Sequence, residues 1–140
     1  KVKHLYLAKK TPDKPNLRQV HLIHSELHDE LKEKGFSVSA GQMGENITTK
    51  GIDLLNLPQN TILKLGDSGI IKITGLREPC HQLNGVEEGL MKAVFGKNKD
   101  GELIRKSGIM AVVLETGTVR AGDEIVIELP EEPFLKLTTV

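Results

Sequence analysis

Apolar and polar positions alternate from the start of the chain: "KVKHLYLAKK" places Val2, Leu5 and Leu7 in the pattern of a β-strand. "TPDKPN" (Thr11 to Asn16) is loop chemistry, and "LRQVHLI" after it is rich enough in branched apolar residues to predict a second strand. The period then changes. In "SELHDELKEKG", Ser25 can cap a helix, Leu27 and Leu31 stand four apart, and Gly35 can close it in a left-handed conformation. A brief strand is predicted at Phe36–Val38, followed by a glycine-bearing loop. "NLPQN" predicts a turn. "TILKL" and "IIKITGL" predict two strands joined through "GDSG" as a tight hairpin. "VEEGLMKAVF" carries Val86, Leu90, Met91 and Val94 at helical spacing, weakened by Gly89. "GKNKDGE" predicts a polar turn, "GIMAVVLE" a buried strand, "TVRAGD" a turn and "EIVIEL" a final strand. "LGDSGIIKI" and "AGDEIVIEL" echo one another, which two similar turns explain without a repeat. Short strands and few helices predict a mainly β domain, a barrel-like closed sheet with a few short helices.

A chain of 140 residues suits one domain with a core of its own. With one Tyr, three Phe and no Trp, that core must be aliphatic. Nineteen basic residues balance nineteen acidic ones, so charge gives no reason to expect nucleic acid or a membrane surface as partner. No apolar run has the length of a membrane span or the form of a signal peptide. The single cysteine excludes an intrachain disulfide and fits a reducing, cytoplasmic setting.

That cysteine, Cys80 in "GLREPCHQL", is the first candidate for chemistry. A lone cysteine commonly packs as a small apolar residue. Here it follows Pro79 just beyond a predicted strand, where functional side chains are often placed. Arg77 can favour its thiolate, and Glu78 partly opposes that effect. His81 is adjacent, but neighbours in an extended chain point to opposite faces, which argues against a Cys80–His81 dyad. His24 and His28 stand four apart as a metal pair would. With no HExxH motif and no third ligand, a solvated helix surface is the simpler reading. The loop "GQMGENITT" is either a turn that requires Gly41 and Gly44, or a cradle whose amides and Asn46 hold a polar ligand. "RKSG" (Arg105 to Gly108) is a turn or an anion contact, and it is no P-loop.

Together, "NLRQVHLIHSEL", "GQMGENITTKGIDLLNLP", "LKLGD", "ITGLREPCHQL" and "GIMAVVLETGTVRAGDEI" resemble, in order, the MOSC domain, named for the C-terminal domain of molybdenum cofactor sulfurase. The most specific match is Gly44-Glu45-Asn46 followed by Arg77-x-x-Cys80, and the likeness is to the small stand-alone bacterial members. The resemblance implies a MOSC-type β-barrel. It implies that Cys80 either ligates the metal of a molybdenum-pterin cofactor (molybdopterin) or carries sulfur as a persulfide. A thiolate suits a thiophilic metal, and an exposed reactive one can take up sulfane sulfur. Arg77 and Arg18 are candidates for the cofactor's phosphate, and Asn46, with Gly44 and Glu45, for the pterin or its loop. Pyridoxal phosphate is a further cofactor to consider. Three functions follow: a small oxidoreductase reducing N-hydroxylated compounds, a sulfur carrier serving a partner protein in cofactor or metal-centre assembly, or a non-catalytic binding module. The single domain, 1–140, is expected to lack a short N-terminal segment with a Gly-Asp and a His that such proteins carry.

Overall fold

A computed structural model describes residues 4–7 and 17–140; Val2 and the expected loop at Thr11–Asn16 lie outside the described residues. In chain order the elements are β1 (His4–Leu7), β2 (Val20–His24), α1 (Ser25–Glu33), β3 (Ile47–Thr49), a 3₁₀ turn (Leu54–Asn56), β4 (Ile62–Leu65), β5 (Gly69–Leu76), α2 (Leu83–Val86), α3 (Leu90–Ala93), β6 (Phe95–Lys97), β7 (Leu103–Arg105), β8 (Ile109–Glu115), β9 (Gly117–Arg120) and β10 (Ile125–Glu128). Six strands form one sheet in the order β10-β4-β5-β8-β2-β3, curled into a half-barrel; β1-β9 and β6-β7 are separate two-stranded ribbons. The protein is mainly β, as its short alternating runs require. No described helix is long and apolar enough to cross a membrane.

The strand β2 divides the interior. Because side chains alternate along a strand, Val20 and Leu22 point to one side and His21 and Ile23 to the other. Val20 and Leu22 enter the larger aliphatic core with Leu63, Leu65, Ile71, Ile73 and Ile109 from β4, β5 and β8. Ile23 enters a second core with Leu27 and Leu31 of α1, Leu83 of α2, Leu90 of α3, Val38 and Met43. Leu27 and Leu31 are the apolar i,i+4 pair of α1, so that helix docks by the face its spacing predicts.

The hairpin β4–β5 forms as "GDSG" predicts, with Gly66 at φ +62°. Elsewhere the structure corrects the sequence reading. Residue 25 is the first residue of α1 rather than its cap: His24 caps the helix, with no side-chain hydrogen bond. Gly35 ends α1 at φ +94°, with Gly35 N–H donating to the Lys32 carbonyl and Phe36 N–H to the Leu31 carbonyl. That is the paired hydrogen bonding of a Schellman turn, which satisfies the last helix carbonyls. It also engages Phe36, so the strand expected at Phe36–Val38 does not form. Of the helix expected across Val86–Val94, only Leu90–Ala93 forms, as α3; Val86 closes α2, and Gly89 at φ +83° starts the chain afresh into α3. "GKNKDGE" is a turn flanked by the short strands β6 and β7, and "GTVR" is strand β9, paired with β1. Ile47–Thr49, expected as loop, pairs in parallel with β2 as β3.

Candidate functional site

The strand β5 delivers the cysteine. Its last residues are pinned from both sides: Leu76 N–H donates to the Thr138 carbonyl at 2.8 Å, and Arg77 N–H donates to the Gly108 carbonyl at 3.0 Å. Gly75 has no room for a side chain; a Cβ there would meet the Thr138 carbonyl and the Val140 methyls. The chain then leaves the sheet. Pro79 is buried, Cys80 is half-buried, and the Cys80 carbonyl accepts from Leu83 N–H at 3.0 Å as the chain turns into α2. Because this segment is not extended, the expected divergence of neighbouring side chains fails. Cys80 Sγ lies 4.0 Å from His81 Nδ1, and both face outward.

Cys80 borders a cavity of about 250 Å³, walled also by His21, Gln42, Met43, Gly44, Arg77, Gln82, Leu83, Val86 and Ser107. It lies on the His21 side of β2, away from the larger core. Its walls combine one thiol, one guanidinium, an imidazole and two carboxamides with a few apolar side chains, the mixture expected where a polar small molecule is held. Glu78, adjacent to Arg77, is drawn off by Arg105, whose Nε donates to it at 2.8 Å. The Arg77 guanidinium has no carboxylate partner among the described residues.

His21 is the most firmly held polar side chain in the wall. Its Nε2 lies 2.6 Å from the Ser107 carbonyl, an acceptor, so Nε2 carries the proton. Its backbone is clamped by Asn46, whose N–H donates to the His21 carbonyl at 2.8 Å and whose Oδ1 accepts from His21 N–H at 2.9 Å. Ser107 Oγ donates in turn to the Arg77 carbonyl at 3.2 Å. A continuous set of hydrogen bonds thus runs from Asn46 through His21 and Ser107 to the strand end that carries Cys80. Gly108 permits the close approach: at φ +95°, a Cβ there would collide with the Leu22 carbonyl and press on the His21 ring. Burial holds the His21 pKa below the usual histidine value. Hydrogen bonding to the Ser107 and Gly44 backbones and the Glu45 charge oppose that, and the Arg18 charge reinforces it.

The structure brings Cys80, Arg77 and Gly44 together around the cavity. Asn46 stands behind the wall and acts on it through His21. The Glu45 side chain is fully buried behind the loop, where Oε2 pairs with His28 Nε2 at 3.0 Å and Oε1 accepts from Met43 N–H. His28 is therefore not a solvated surface residue; its side chain is 10% exposed and serves to lock the Gly-Glu-Asn loop onto α1. Arg18 is exposed at the approach to β2, outside the wall. In "RKSG", Arg105 and Lys106 are bound to Glu78 and Glu30, and Ser107 supplies a buried carbonyl. Neither basic residue is a free anion contact. No group of three His, Cys, Asp or Glu side chains placed to hold a metal occurs among the described residues. The residues that sequence reasoning missed are His21, Ser107, Gln42 and Gln82. One signal pointed to His21: a histidine between Val20 and Leu22 on a strand buried on both faces must find a polar partner.

Fold and cavity describe a half-barrel domain in which the thiol of Cys80 and the guanidinium of Arg77 line one cavity. The family model of the MOSC domain matches residues 13–126, and the chain belongs to that family. Among solved structures it is similar to YiiM from Geobacillus stearothermophilus, at 25% identity and a TM-score of 0.65, over 79% of this chain and 54% of that one. It also shares its fold with YuaD from Bacillus subtilis, at 21% identity and 0.67, over 83% and 66% of the two chains. YiiM from Escherichia coli matches at 18% identity and 0.65, over 95% and 66%. The chain thus spans roughly half to two thirds of the length of these proteins. No curated protein matches it in sequence.

Proposed function

We propose that the cavity binds the reactive end of a molybdenum-pterin cofactor, with Cys80 as thiolate ligand to the metal, and that the domain serves reduction of N-hydroxylated compounds. The observation that carries this reading is the pairing, in one cavity, of the chain's only thiol with an arginine that has no carboxylate partner among the described residues. The donor set fits the group. A soft thiolate suits a thiophilic metal, and the Arg77 guanidinium suits a phosphate or other oxyanion. Gln42 and Gln82 offer both donors and acceptors to a heterocycle. At about 250 Å³ the cavity is just below the usual range for small-molecule sites, which begins near 300 Å³. It therefore suits one end of such a cofactor rather than the whole. When bound, the group would supply oxygen-atom and electron transfer. The protein's part would be to fix the thiolate, neutralise anionic charge through Arg77, and hold the ligand in order through the His21–Ser107 wall.

A second reading rests on the outward face of Cys80 and on His81 4.0 Å from its sulfur. A thiol at a cavity mouth is open to a partner protein's sulfur donor, and Cys80 would then carry a persulfide for cofactor or metal-centre assembly. One experiment separates the two. The protein is expressed in a host that makes the cofactor, and molybdenum and oxidised-pterin fluorescence are measured with and without Cys80→Ala. Stoichiometric metal lost in the variant supports the first reading. Cyanide-labile sulfur without metal, lost in the same variant, supports the second. With neither signal both fall, and a module in which Cys80 only packs is left.

A further inference from the structure

We infer that Glu45 is a positioning residue of the cavity: its buried carboxylate gathers donors from α1, from β3 and from its own loop, and so holds Met43 and Gly44 in the wall without itself touching the occupant. The inference rests on the reading of the cavity as the functional site, and it gives the Gly44-Glu45-Asn46 motif a different part in that site. The two polar side chains of the motif shape the wall and are not spent on a ligand.

The Glu45 side chain has no exposed surface, yet donors from three places reach it. Oε2 accepts from His28 Nε2 of α1 at 3.0 Å and, more loosely, from the Thr48 hydroxyl of β3 at 3.5 Å, while Oε1 accepts from Met43 N–H at 3.3 Å. A carboxylate held out of water in this way is costly to remove, because its donors are left stranded. Helix α1 grips the same stretch a second time: Glu26 Oε2 accepts from Gly51 N–H at 2.8 Å. The two contacts bracket β3, an edge strand that pairs only with β2 among the described residues. The helix thus sets where the loop before β3 can stand. That loop has already used its own amides. Gln42 N–H donates to the Ser39 carbonyl, Met43 N–H to Glu45, Gly44 N–H to the Gly41 carbonyl and Asn46 N–H to the His21 carbonyl. An anion would find no cradle of free N–H groups at Gln42–Gly44. What these three residues offer is a surface, held by Asn46 on β2 and by Glu45 on α1 and β3. With Glu45 removed, Gly41 and Gly44, both at φ +88°, are the points about which that surface would swing.

The test compares Glu45→Ala with Ile71→Ala, which opens a void in the larger core and leaves the loop untouched. Both variants should unfold at lower temperature, so stability alone does not separate them. Two further measurements do. Amide hydrogen exchange at Met43 and Gly44 should be at least about tenfold faster in Glu45→Ala, as expected for a lost hydrogen bond to a charged group, and should keep its original rate in folded Ile71→Ala. Pterin retained after expression in the cofactor-making host should fall about tenfold in Glu45→Ala and stay near the original level in folded Ile71→Ala. Glu45→Gln, which keeps the shape and one accepting oxygen, should recover part of both losses. Unchanged exchange at Met43 and Gly44 in Glu45→Ala overturns the inference. So does full pterin retention by that variant, or an equal loss in Ile71→Ala. If the unsubstituted protein retains no pterin, the cofactor reading fails by itself, and the exchange rates alone decide the role of Glu45.

Discussion

The two faces of β2 are built on opposite plans. Toward the larger core, Val20 and Leu22 meet only aliphatic side chains, and Leu22 is completely buried. Toward the cavity, one residue along, His21 is nearly as buried but spends its polar groups on Ser107 and on Asn46. The first face is held by area removed from water, which is indifferent to direction. The second is held by a few directed hydrogen bonds, each costly to leave unmade. A single strand therefore contributes both to the aliphatic core and to the wall of the cavity, and the two faces should respond differently to substitution.

Leu22→Ala should give the largest loss of stability, about 3–5 kcal/mol, since it opens a void in a sealed aliphatic core. Urea unfolding measures it, and at concentrations where the protein is still folded the rate of Cys80 alkylation should stay near its original value. Gly108→Ala strikes both faces at once. The residue sits at φ +95° against the Leu22 carbonyl and the His21 ring. Strain and overpacking together predict about 2–4 kcal/mol, this time with a changed Cys80 alkylation rate. Asn46→Ala leaves the His21 N–H without its Oδ1 partner and should cost about 1–3 kcal/mol, visible as faster hydrogen exchange at His21.

Acid should expose the polar face next. Burial is the largest cause holding both His21 and His24 below the usual histidine value. The unfolded chain thus takes up protons more readily as pH falls below about 6.5. Their contribution to stability is complete above that pH, is lost as pH falls toward the lowered folded-state values, and is constant below them. Glu26 is lowered chiefly by the Gly51 N–H; at Glu30 burial pulls upward, but the hydrogen bond and charge of Lys106 lower it on balance. Those carboxylate contributions persist until pH drops through about 4.5 and below. Chemical denaturation between pH 5 and 7.5 should show a falling slope that is shallower in His21→Gln. The smallest effect belongs to Cys80→Ser: at a half-buried, outward-facing position it should change stability by less than about 0.5 kcal/mol. A larger loss would mean that Cys80 is a packing residue after all.

Much of the fold was legible. The glycines of "GDSG" gave the β4–β5 hairpin, the run "GIMAVVLE" gave β8, and Leu27 and Leu31 gave the buried face of α1. What escaped was set by distant partners. Ile47–Thr49 looks like loop until β2 lies beside it, and Gly117–Arg120 until β1 does. Phe36 was read as strand because its β-propensity was weighed without the helix cap it completes. In the site, the local motif Arg77-x-x-Cys80 was visible because its residues are close in sequence. The role of His21 was not, because Ser107 lies 86 residues away and Asn46 25 residues away. An aliphatic face can be read from periodicity alone. A face held by hydrogen bonds needs each partner to be found, and no period encodes them.

The clasp of Thr138–Val140 on β5 makes the cysteine loop depend on a segment far from it in sequence. Leu76 N–H donates to the Thr138 carbonyl, and the Leu76 carbonyl accepts from Val140 N–H. A side chain at Gly75 would collide with the same segment. The strand end from which Cys80 departs is thus aimed by two separate stretches, Gly108 on one side and Thr138–Val140 on the other, and a one-residue slip of either would re-aim the thiol.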